Sequence, residues 1–193
     1  MRCPTCGEEN PARARFCLAC GNQLPVAADE EERRTMTMLF SDVVGSTMLG
    51  ERLDPEVLSH VMTSYYEAMK PIVEEHRGLV VKFIGDALVA AFDDGLDACR
   101  AAVAMRERLD SVNEELERRR GVQIGARTGI QTGEVTLSRG SVLPGPTGTA
   151  AAALQSAAQP GEILLSEATH ALVENDARVD ASDGRYRLTE VPG

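Results

Sequence analysis

LFSDVVGST, at residues 39–47, is the stretch on which the fold of this chain depends, together with KFIGDALV at residues 82–89. The first contains the end of an apolar strand predicted over Met36 to Phe40, then an acidic residue and a Gly/Ser/Thr turn. The second has a Gly-Asp pair between two apolar runs, which is the pattern of a β-hairpin. If the first strand pairs beside this hairpin, Asp42 and Asp86 lie at neighbouring strand ends.

The two acidic residues at these strand ends are candidates for a metal site. Mg²⁺ typically takes one or two carboxylates and leaves its other positions to water and phosphate oxygens. The turn from Val43 to Thr47 offers successive backbone N–H groups, which form an anion-binding nest. Asp is also common in ordinary turns, and for either acid alone that interpretation is preferred. The two acids together, with Lys82 four residues before Asp86, favour a site for Mg²⁺ and a polyphosphate.

Four segments of the chain resemble, in the same order, segments of the class III nucleotidyl cyclases. These enzymes convert a nucleoside triphosphate to a 3′,5′-cyclic nucleotide and pyrophosphate. The resemblance covers the chain from about Thr35 to the C-terminus, and it implies an α+β fold. The segments are FSDVVGST (40–47), KFIGDALVAAF (82–92), ARTGIQTGEV (126–135) and QPGEILLS (159–166).

The order of predicted elements also gives a ferredoxin-like βαββαβ plan. Asp54-Pro55 is a typical helix start, and apolar residues then recur at three- and four-residue steps until the stop at Gly78. Cys99 falls on the apolar face of a second helix and is predicted to be buried. The predicted elements are a strand at 36–40, a helix at 55–76, hairpin strands at 79–84 and 87–92, a helix at 93–119, a strand at 122–130, a turn at Gly133, a strand at 134–137, a loop at 138–148, a helix at 149–158, a strand at 163–165 and a helix at 167–173.

The N-terminal segment has two Cys-x-x-Cys-Gly knuckles. Four thiolates close one tetrahedral Zn²⁺ site, and so short a segment gains most of its folding free energy from the metal. A redox dithiol is the alternative, but that motif occurs once, on a βαβ unit, which this segment lacks. The sequence therefore predicts a structural zinc ribbon with the ligands Cys3, Cys6, Cys17 and Cys20.

Composition limits the partners of this chain. The formal net charge is −10 over 193 residues, which argues against a nucleic-acid-binding surface. No apolar run approaches the length of a membrane span, and the N-terminus has no signal-peptide pattern. We therefore expect no nucleic acid, no membrane and a cytoplasmic location. The expected organisation is a zinc ribbon at 1–24, a polar linker at 25–35 and a cyclase homology domain at 36–193.

The resemblance implies a composite active site between two cyclase domains, in a homodimer or in a heterodimer with another cyclase domain. One chain would hold two Mg²⁺ or Mn²⁺ ions through Asp42, Val43 and Asp86. The turn of Val43, Val44, Gly45, Ser46 and Thr47 would bind phosphate oxygens. Arg127 matches an Arg that pairs with the β-phosphate. From the partner chain, Lys82 matches the Lys that recognises adenine, whereas guanylyl cyclases have an acid at this position.

The chain departs from the family at several other positions. Lys82 makes ATP the expected substrate, but Val142 stands where an Asp often completes adenine recognition, so base selectivity should be weak and GTP is a second candidate. Thr149 and Ala153 stand where the family has Asn, which orients the ribose, and Arg, which stabilises charge at the α-phosphate. Thr149-Oγ could still contact the ribose, whereas Ala153 offers no donor. Thr189-Glu190 replaces a C-terminal Lys-Gly whose Lys reaches the γ-phosphate.

The leading prediction is a class III adenylyl cyclase domain that acts in cyclic-nucleotide signalling, with a weakened set of transition-state contacts and low or partner-dependent activity. The alternative is a catalytically silent cyclase-homology module that binds nucleotide and dimerises for regulation. A diguanylate-cyclase-like enzyme requires a Gly-Gly-acidic-acidic hairpin. The sequence Ile84-Gly85-Asp86-Ala87 does not provide one.

Overall fold

The structure is a computed structural model that describes residues 1–11, 14–24, 31–44, 53–138, 140–182 and 184–192. Contacts divide the chain into one unit over Met1–Glu31 and a second over Glu32–Gly193. Among the described residues, the helices are all too short or too polar to cross a bilayer. The elements of the second unit are β1 (Glu32–Val44), α1 (Pro55–Glu75), β2 (Leu79–Ile84), β3 (Ala87–Phe92), α2 (Gly95–Arg120), β4 (Gly125–Ser138), β5 (Ser141–Leu143), α3 (Gly145–Ala157), β6 (Ile163–Leu165), α4 (Glu167–Val173), β7 (Arg178–Ser182) and β8 (Arg185–Glu190).

The sheet of the second unit confirms the ferredoxin-like plan. Its described strands lie in the order β2-β3-β1-β4-β6-β8-β7, and β5 pairs with the end of β4. The first six elements therefore form β1-α1-β2-β3-α2-β4, with β1 in the middle between β3 and β4, antiparallel to both. The main hydrophobic core includes buried side chains of α1, α2 and this sheet, among them Tyr65, Cys99 and Ile130.

Helix ends follow from local sequence. Helix α1 begins at Pro55 after Asp54, whose side chain makes no capping hydrogen bond. Helix α2 begins after Asp94, whose carboxylate accepts the amide of Leu96 at 2.7 Å. It ends at Arg120 and is followed by Gly121, where φ is +66°, a conformation that Gly adopts without strain.

The predicted boundaries of β1, β4 and the loop at 138–148 are wrong, and those of the two long strands are wrong because pairing extends strands that a local pattern interrupts. Strand β1 runs from Glu32 to Val44 and pairs with β4 over its whole length. Residues 32–35, assigned to the linker, are therefore strand, and so are Val43 and Val44, assigned to a turn. Strand β4 continues through Gly133 as one strand. The predicted loop at 138–148 contains strand β5 and the first residues of α3.

Helix α3 lies on β4 with no side chain between the two backbones at Gly129. A Cβ at this position would collide with the carbonyl oxygen of Ala151 and the amide nitrogen of Gln155. A second buried hydrophobic cluster also joins α3 to the sheet, through residues such as Met38, Val135 and Ala151. The absence of a side chain at Gly129 thus sets how closely α3 approaches the sheet.

We expect Gly129→Ala to lower the free energy of unfolding by about 1–3 kcal/mol, since the added methyl meets backbone that cannot rotate away. Urea denaturation measures this change. Gly125→Ala, on the same strand, is the matched control. Its added Cβ would lie 3.4 Å from the side chain of Pro160 and 3.8 Å from that of Val44, so its effect should stay within about 0.5 kcal/mol. Equal effects of the two substitutions would contradict the close approach of α3.

Candidate active site and zinc centre

The register of the central strand brings the two predicted metal aspartates together. Asp42 lies within β1, opposite Ala87 of β3 on one side and opposite Arg127 of β4 on the other. Asp86 directly precedes Ala87 in the hairpin turn, so its carboxyl lies beside that of Asp42. The antiparallel register, rather than a shared strand end, therefore accounts for their proximity.

The Asp42 carboxyl is largely buried, with its side chain 15% exposed. Burial raises its pKa above the ordinary value, the nearby Asp86 carboxyl raises it further, and the Arg127 guanidinium opposes both effects. Two adjacent carboxylates repel each other and together attract a cation, since a divalent ion relieves the repulsion. The donor set of Asp42 and Asp86 therefore fits a hard divalent metal such as Mg²⁺ or Mn²⁺.

Arg127 reaches back to Asp42. Its Nη2 donates to Oδ2 of Asp42 at 3.1 Å, and its Nη1 donates to the carbonyl of Ser156 at 3.4 Å. Its Nε is buried and, within the described part of the chain, has no hydrogen-bond partner. The guanidinium thus belongs to the same cluster as the aspartates, and its hydrogen-bonding capacity is only partly used.

Gln155 is a member of this cluster that the sequence analysis missed. It lies on α3, is 6% exposed, and its Nε2 donates to Oδ2 of Asp42 at 3.1 Å. In the sequence it is an ordinary polar residue of the helix predicted at 149–158. Its one signal is that it lies on the helix face that also carries Ala151. Periodicity identifies that face as buried, but it does not identify what the amide contacts.

Two tyrosines of α1 support the hairpin and the strand. The Tyr65 hydroxyl lies 3.0 Å from Oγ of Ser41 in the core, and the Tyr66 hydroxyl donates to the carbonyl of Gly85 at 2.8 Å. Burial raises the pKa of the Tyr66 phenol, and the charges of Asp86 and Asp42 raise it further. Tyr65 is a core residue, whereas Tyr66 also holds the turn that carries Asp86.

The remaining predicted site residues are placed as follows. Val43 is buried at 1% exposure, Val44 is half-buried in β1, and Lys82 is exposed on the edge strand β2. Thr149 and Ala153 are exposed on α3, and the Thr149 hydroxyl donates to the carbonyl of Gly145 at 3.2 Å. The predicted phosphate-binding residues Gly45, Ser46 and Thr47 lie outside the described residues.

Three residues that the sequence analysis aligned with different residue types in the cyclase family make structural contacts. They are Val142, Thr189 and Glu190. Val142 is buried in the second hydrophobic cluster, so it contributes packing instead of a hydrogen-bond acceptor. Nη2 of Arg106 donates to the carbonyl of Thr189 at 2.7 Å, and Glu190 forms an ion pair with Arg178 at 2.6 Å. Strand β8 is thereby tied to α2 and β7.

The first unit brings the four cysteines of the two knuckles together. Their sulfur atoms all lie within 4.8 Å of one another, with Cys3 Sγ 3.7 Å from Cys20 Sγ and Cys6 Sγ 3.5 Å from Cys17 Sγ. The two knuckles repeat the same turn: the amide of Gly7 donates to the carbonyl of Cys3, and the amide of Gly21 to that of Cys17. Both glycines have positive φ, +76° and +69°, a conformation that Gly adopts without strain.

The environment favours the thiolate at two of these sulfurs, Cys3 and Cys17. The backbone amide of Cys20 lowers the pKa of Cys17 to about 6, and that of Cys6 lowers the pKa of Cys3. At Cys6 the backbone amide of Glu8 lowers the pKa, but the neighbouring sulfurs of Cys20 and Cys17 outweigh it and raise the pKa to about 12. Asn10, another residue that the sequence analysis missed, is buried and donates to Cys17 Sγ at 3.5 Å. Its Oδ1 accepts the amide of Leu18 at 2.8 Å, which links the two knuckles. Four sulfurs so arranged are a donor set for Zn²⁺.

Comparison with known families agrees with this division of the chain. The family model described as the adenylate and guanylate cyclase catalytic domain matches residues 28–190. A zinc-ribbon domain model matches residues 2–24.

Curated relatives include several bacterial adenylate cyclases. The chain is 27% identical over 161 residues to a putative adenylate cyclase 3 of Rhizobium meliloti, covering 83% of this chain and 27% of that protein. It is 36% identical over 119 residues to an adenylate cyclase of Anabaena cylindrica, covering 60% of this chain and 23% of that protein. The chain thus spans about a quarter of the length of these two relatives.

Solved structures of cyclase domains share the fold. The adenylyl cyclase CyaB from P. aeruginosa superposes with a TM-score of 0.76 at 24% identity, covering 84% of this chain and 97% of that chain. The guanylyl cyclase Cya2 superposes with a TM-score of 0.75 at 26% identity, covering 83% of this chain and 94% of that chain. The similarity extends over almost the whole of each cyclase domain.

Proposed function

The chain belongs to the adenylate and guanylate cyclase catalytic domain family, and on that basis we propose that it is an adenylyl cyclase domain that converts ATP to 3′,5′-cyclic AMP and pyrophosphate. The observation that carries the proposal is the cluster of Asp42, Asp86 and Arg127 at the end of the β2-β3 hairpin. It combines two adjacent carboxyls with a guanidinium whose Nε has no hydrogen-bond partner in the part of the chain that the structure describes.

In this proposal Asp42 and Asp86 hold two divalent ions. When bound, Mg²⁺ or Mn²⁺ supplies counter-charge to the triphosphate and activates the ribose 3′-hydroxyl. Val43 and the segment 44–47 follow Asp42 directly in sequence, and we assign to them the contacts with phosphate oxygens. The site is completed by a second cyclase domain, in a homodimer or a heterodimer, and that domain's Lys82 or its equivalent contacts the adenine.

Arg127 has a physical reason to exchange partners when nucleotide binds. Besides its contact with Asp42 it makes one long contact to a carbonyl, at 3.4 Å, and its Nε has no acceptor among the described residues. A phosphate group offers a planar guanidinium two parallel, charge-assisted hydrogen bonds. We therefore propose that Arg127 binds the β-phosphate. Its contact with Asp42 is then broken, which leaves the carboxylate to the metal ions.

A second function is favoured by the surface of α3. Thr149 satisfies its hydroxyl within its own helix, and the exposed Ala153 carries no donor. A missing donor at the reacting phosphate costs about 10²–10³ in rate. The alternative is a catalytically silent cyclase-homology module that binds nucleotide and regulates a partner domain by dimerising with it.

The assay that separates these two functions measures cyclic AMP formed by the purified protein, alone and mixed with an intact cyclase domain, with Mg²⁺ or Mn²⁺. An enzyme produces cyclic AMP alone, or in the mixture adds to the output of the intact domain measured by itself, and Asp42→Asn abolishes that contribution. A silent module produces none alone, and in the mixture it changes only the rate of the partner, by an amount that Asp42→Asn leaves unaltered. Analysis of cyclic GMP in the same samples tests base selection.

We expect Asp42→Ala and Asp86→Ala each to weaken divalent-dependent ATP binding by about tenfold or more, because the triphosphate then lacks part of its metal counter-charge. Isothermal titration with ATP in Mg²⁺ and in EDTA measures this. Asp110→Ala is the control, since Asp110 is an exposed acid on α2. Parent affinity in both variants, or tight binding in EDTA, would contradict the metal assignment.

A further inference from the structure

The contact between Gln155 and Asp42 joins helix α3 to the proposed metal site. Gln155 Nε2 and Arg127 Nη2 both donate to the same oxygen of Asp42, Oδ2, and each lies 3.1 Å from it. We propose that Gln155 is a positioning residue: it fixes the orientation of the Asp42 carboxylate for divalent metal binding. This inference rests on the proposed function, because it assumes that Asp42 is a metal ligand.

The burial of Gln155 requires a hydrogen-bonded role for its amide. At 6% exposure, an amide without partners loses roughly 1–3 kcal/mol relative to its hydrated state. In this site Nε2 is used by Asp42, and Oε1 accepts the hydroxyl of Ser156 at 3.4 Å. The two contacts fix which end of the amide faces the carboxylate, since only the NH₂ end can donate to Oδ2.

The position of Gln155 is set by backbone packing and not by a flexible loop. The backbone amide nitrogen of Gln155 lies directly against Gly129, where a methyl group would not fit. Gly129 is two residues from Arg127 on β4, and Arg127 is the register partner of Asp42. The Gln155 backbone is therefore held at a fixed height over the sheet, close to the carboxylate that its side chain contacts.

Gln155 is a neutral donor, so it can orient the Asp42 carboxylate without the positive charge that Arg127 brings. Arg127 brings a positive charge to Asp42, which competes with a cation for the same carboxylate. Gln155 brings a hydrogen bond without a charge, so it orients the carboxylate and leaves its attraction for a metal ion intact. Both donors approach Oδ2, so neither of these contacts uses Oδ1. When Arg127 turns toward a phosphate, Gln155 still holds the carboxylate in place.

The test compares Mn²⁺ binding of the full chain, measured by electron paramagnetic resonance of free Mn²⁺ without nucleotide, in five proteins. These are the parent, Asp42→Asn, Gln155→Met, Gln155→Asn and Gln131→Met. Met keeps the length of Gln without a donor, and Asn keeps the amide but is one methylene too short to reach. Gln131 is the matched control, because its Nε2 donates to the backbone carbonyl of Thr132 on β4 and not to Asp42.

We expect Gln155→Met and Gln155→Asn to weaken Mn²⁺ binding by about 10- to 100-fold, the usual range for residues that orient a metal ligand. Gln131→Met should bind Mn²⁺ like the parent. A purely structural role would lower the unfolding midpoint and leave Mn²⁺ affinity unchanged in the folded variants. If Asp42→Asn loses Mn²⁺ and both Gln155 variants keep parent affinity, the positioning role is wrong and the metal site stands. If Asp42→Asn and the parent bind alike, both proposals are wrong.

Discussion

Thr149→Asn combined with Ala153→Arg should raise the turnover of ATP to cyclic AMP by about 10²–10³-fold over the parent, the usual worth of a positioned donor at developing charge. The two side chains are exposed on α3, one helical turn apart on the same face. Both can therefore point toward one ribose and phosphate of a nucleotide bound across a dimer. Their contacts strengthen in the transition state, so the gain should appear in kcat, with little change in ATP affinity.

The measurement is steady-state kinetics of the purified chain, with Thr149→Asn plus Ala153→Gln as the control. Gln has a neutral amide in place of the guanidinium, so this control should recover only a small part of the gain. If the parent already turns over ATP as fast as the double variant, Thr149 and Ala153 are not the positions that limit catalysis. If neither protein is active but both dimerise and bind ATP, the regulatory-module alternative is correct.

The same variant tests base selection. Val142 is packed in a hydrophobic cluster with Val135 and Ala151, so it offers no acceptor to the exocyclic amino group of adenine. The restored enzyme should therefore still discriminate poorly between ATP and GTP.

Removal of zinc should unfold the N-terminal ribbon and leave the cyclase domain folded. In the described residues of the ribbon the buried cluster is small, with Cys3, Cys17 and Leu24, too little to stabilise a fold of about 24 residues. Zinc binding by four thiolates supplies about 10–16 kcal/mol of apparent free energy near neutral pH. Loss of the metal should thus remove nearly all of the ribbon's stability.

Metal analysis of reduced protein should give one Zn²⁺ per chain, and NMR during chelation should show loss of ribbon signals while the signals of residues 32–192 persist. Cys17→Ser should abolish stoichiometric zinc, because it removes one of four ligands. Cys99→Ser is the matched control, since Cys99 is a buried thiol of α2 in the second unit and is not one of the four clustered cysteines. Reduced protein without zinc, or a ribbon that stays folded in chelator, would contradict a structural metal.

Much of the fold could be predicted from local sequence. The hairpin strands at 79–84 and 87–92 and the elements at 163–165 and 167–173 have the predicted bounds, because a Gly-Asp turn and short apolar runs encode them directly. The spacing of the four cysteines predicted their cluster, since two knuckles have few ways to converge on one ion. The four cyclase-like segments identified the family before any contact was known.

Tertiary structure decided what local patterns could not. Strand β1 extends to both sides of its apolar run because β4 pairs with it along its whole length, and such pairing depends on residues about ninety positions away. The same register brings Arg127 to Asp42.

The contact of Gln155 with Asp42 spans 113 positions and depends on a glycine that lets helix and sheet backbones touch. Local sequence patterns were thus enough to predict the family, the two candidate metal-ligand aspartates and the zinc-ribbon motif. Only the packing of α3 against the sheet determined which side chains orient Asp42, because hydrogen-bond partners across a sheet and a helix are set by register and distance, and neither is encoded in any single segment.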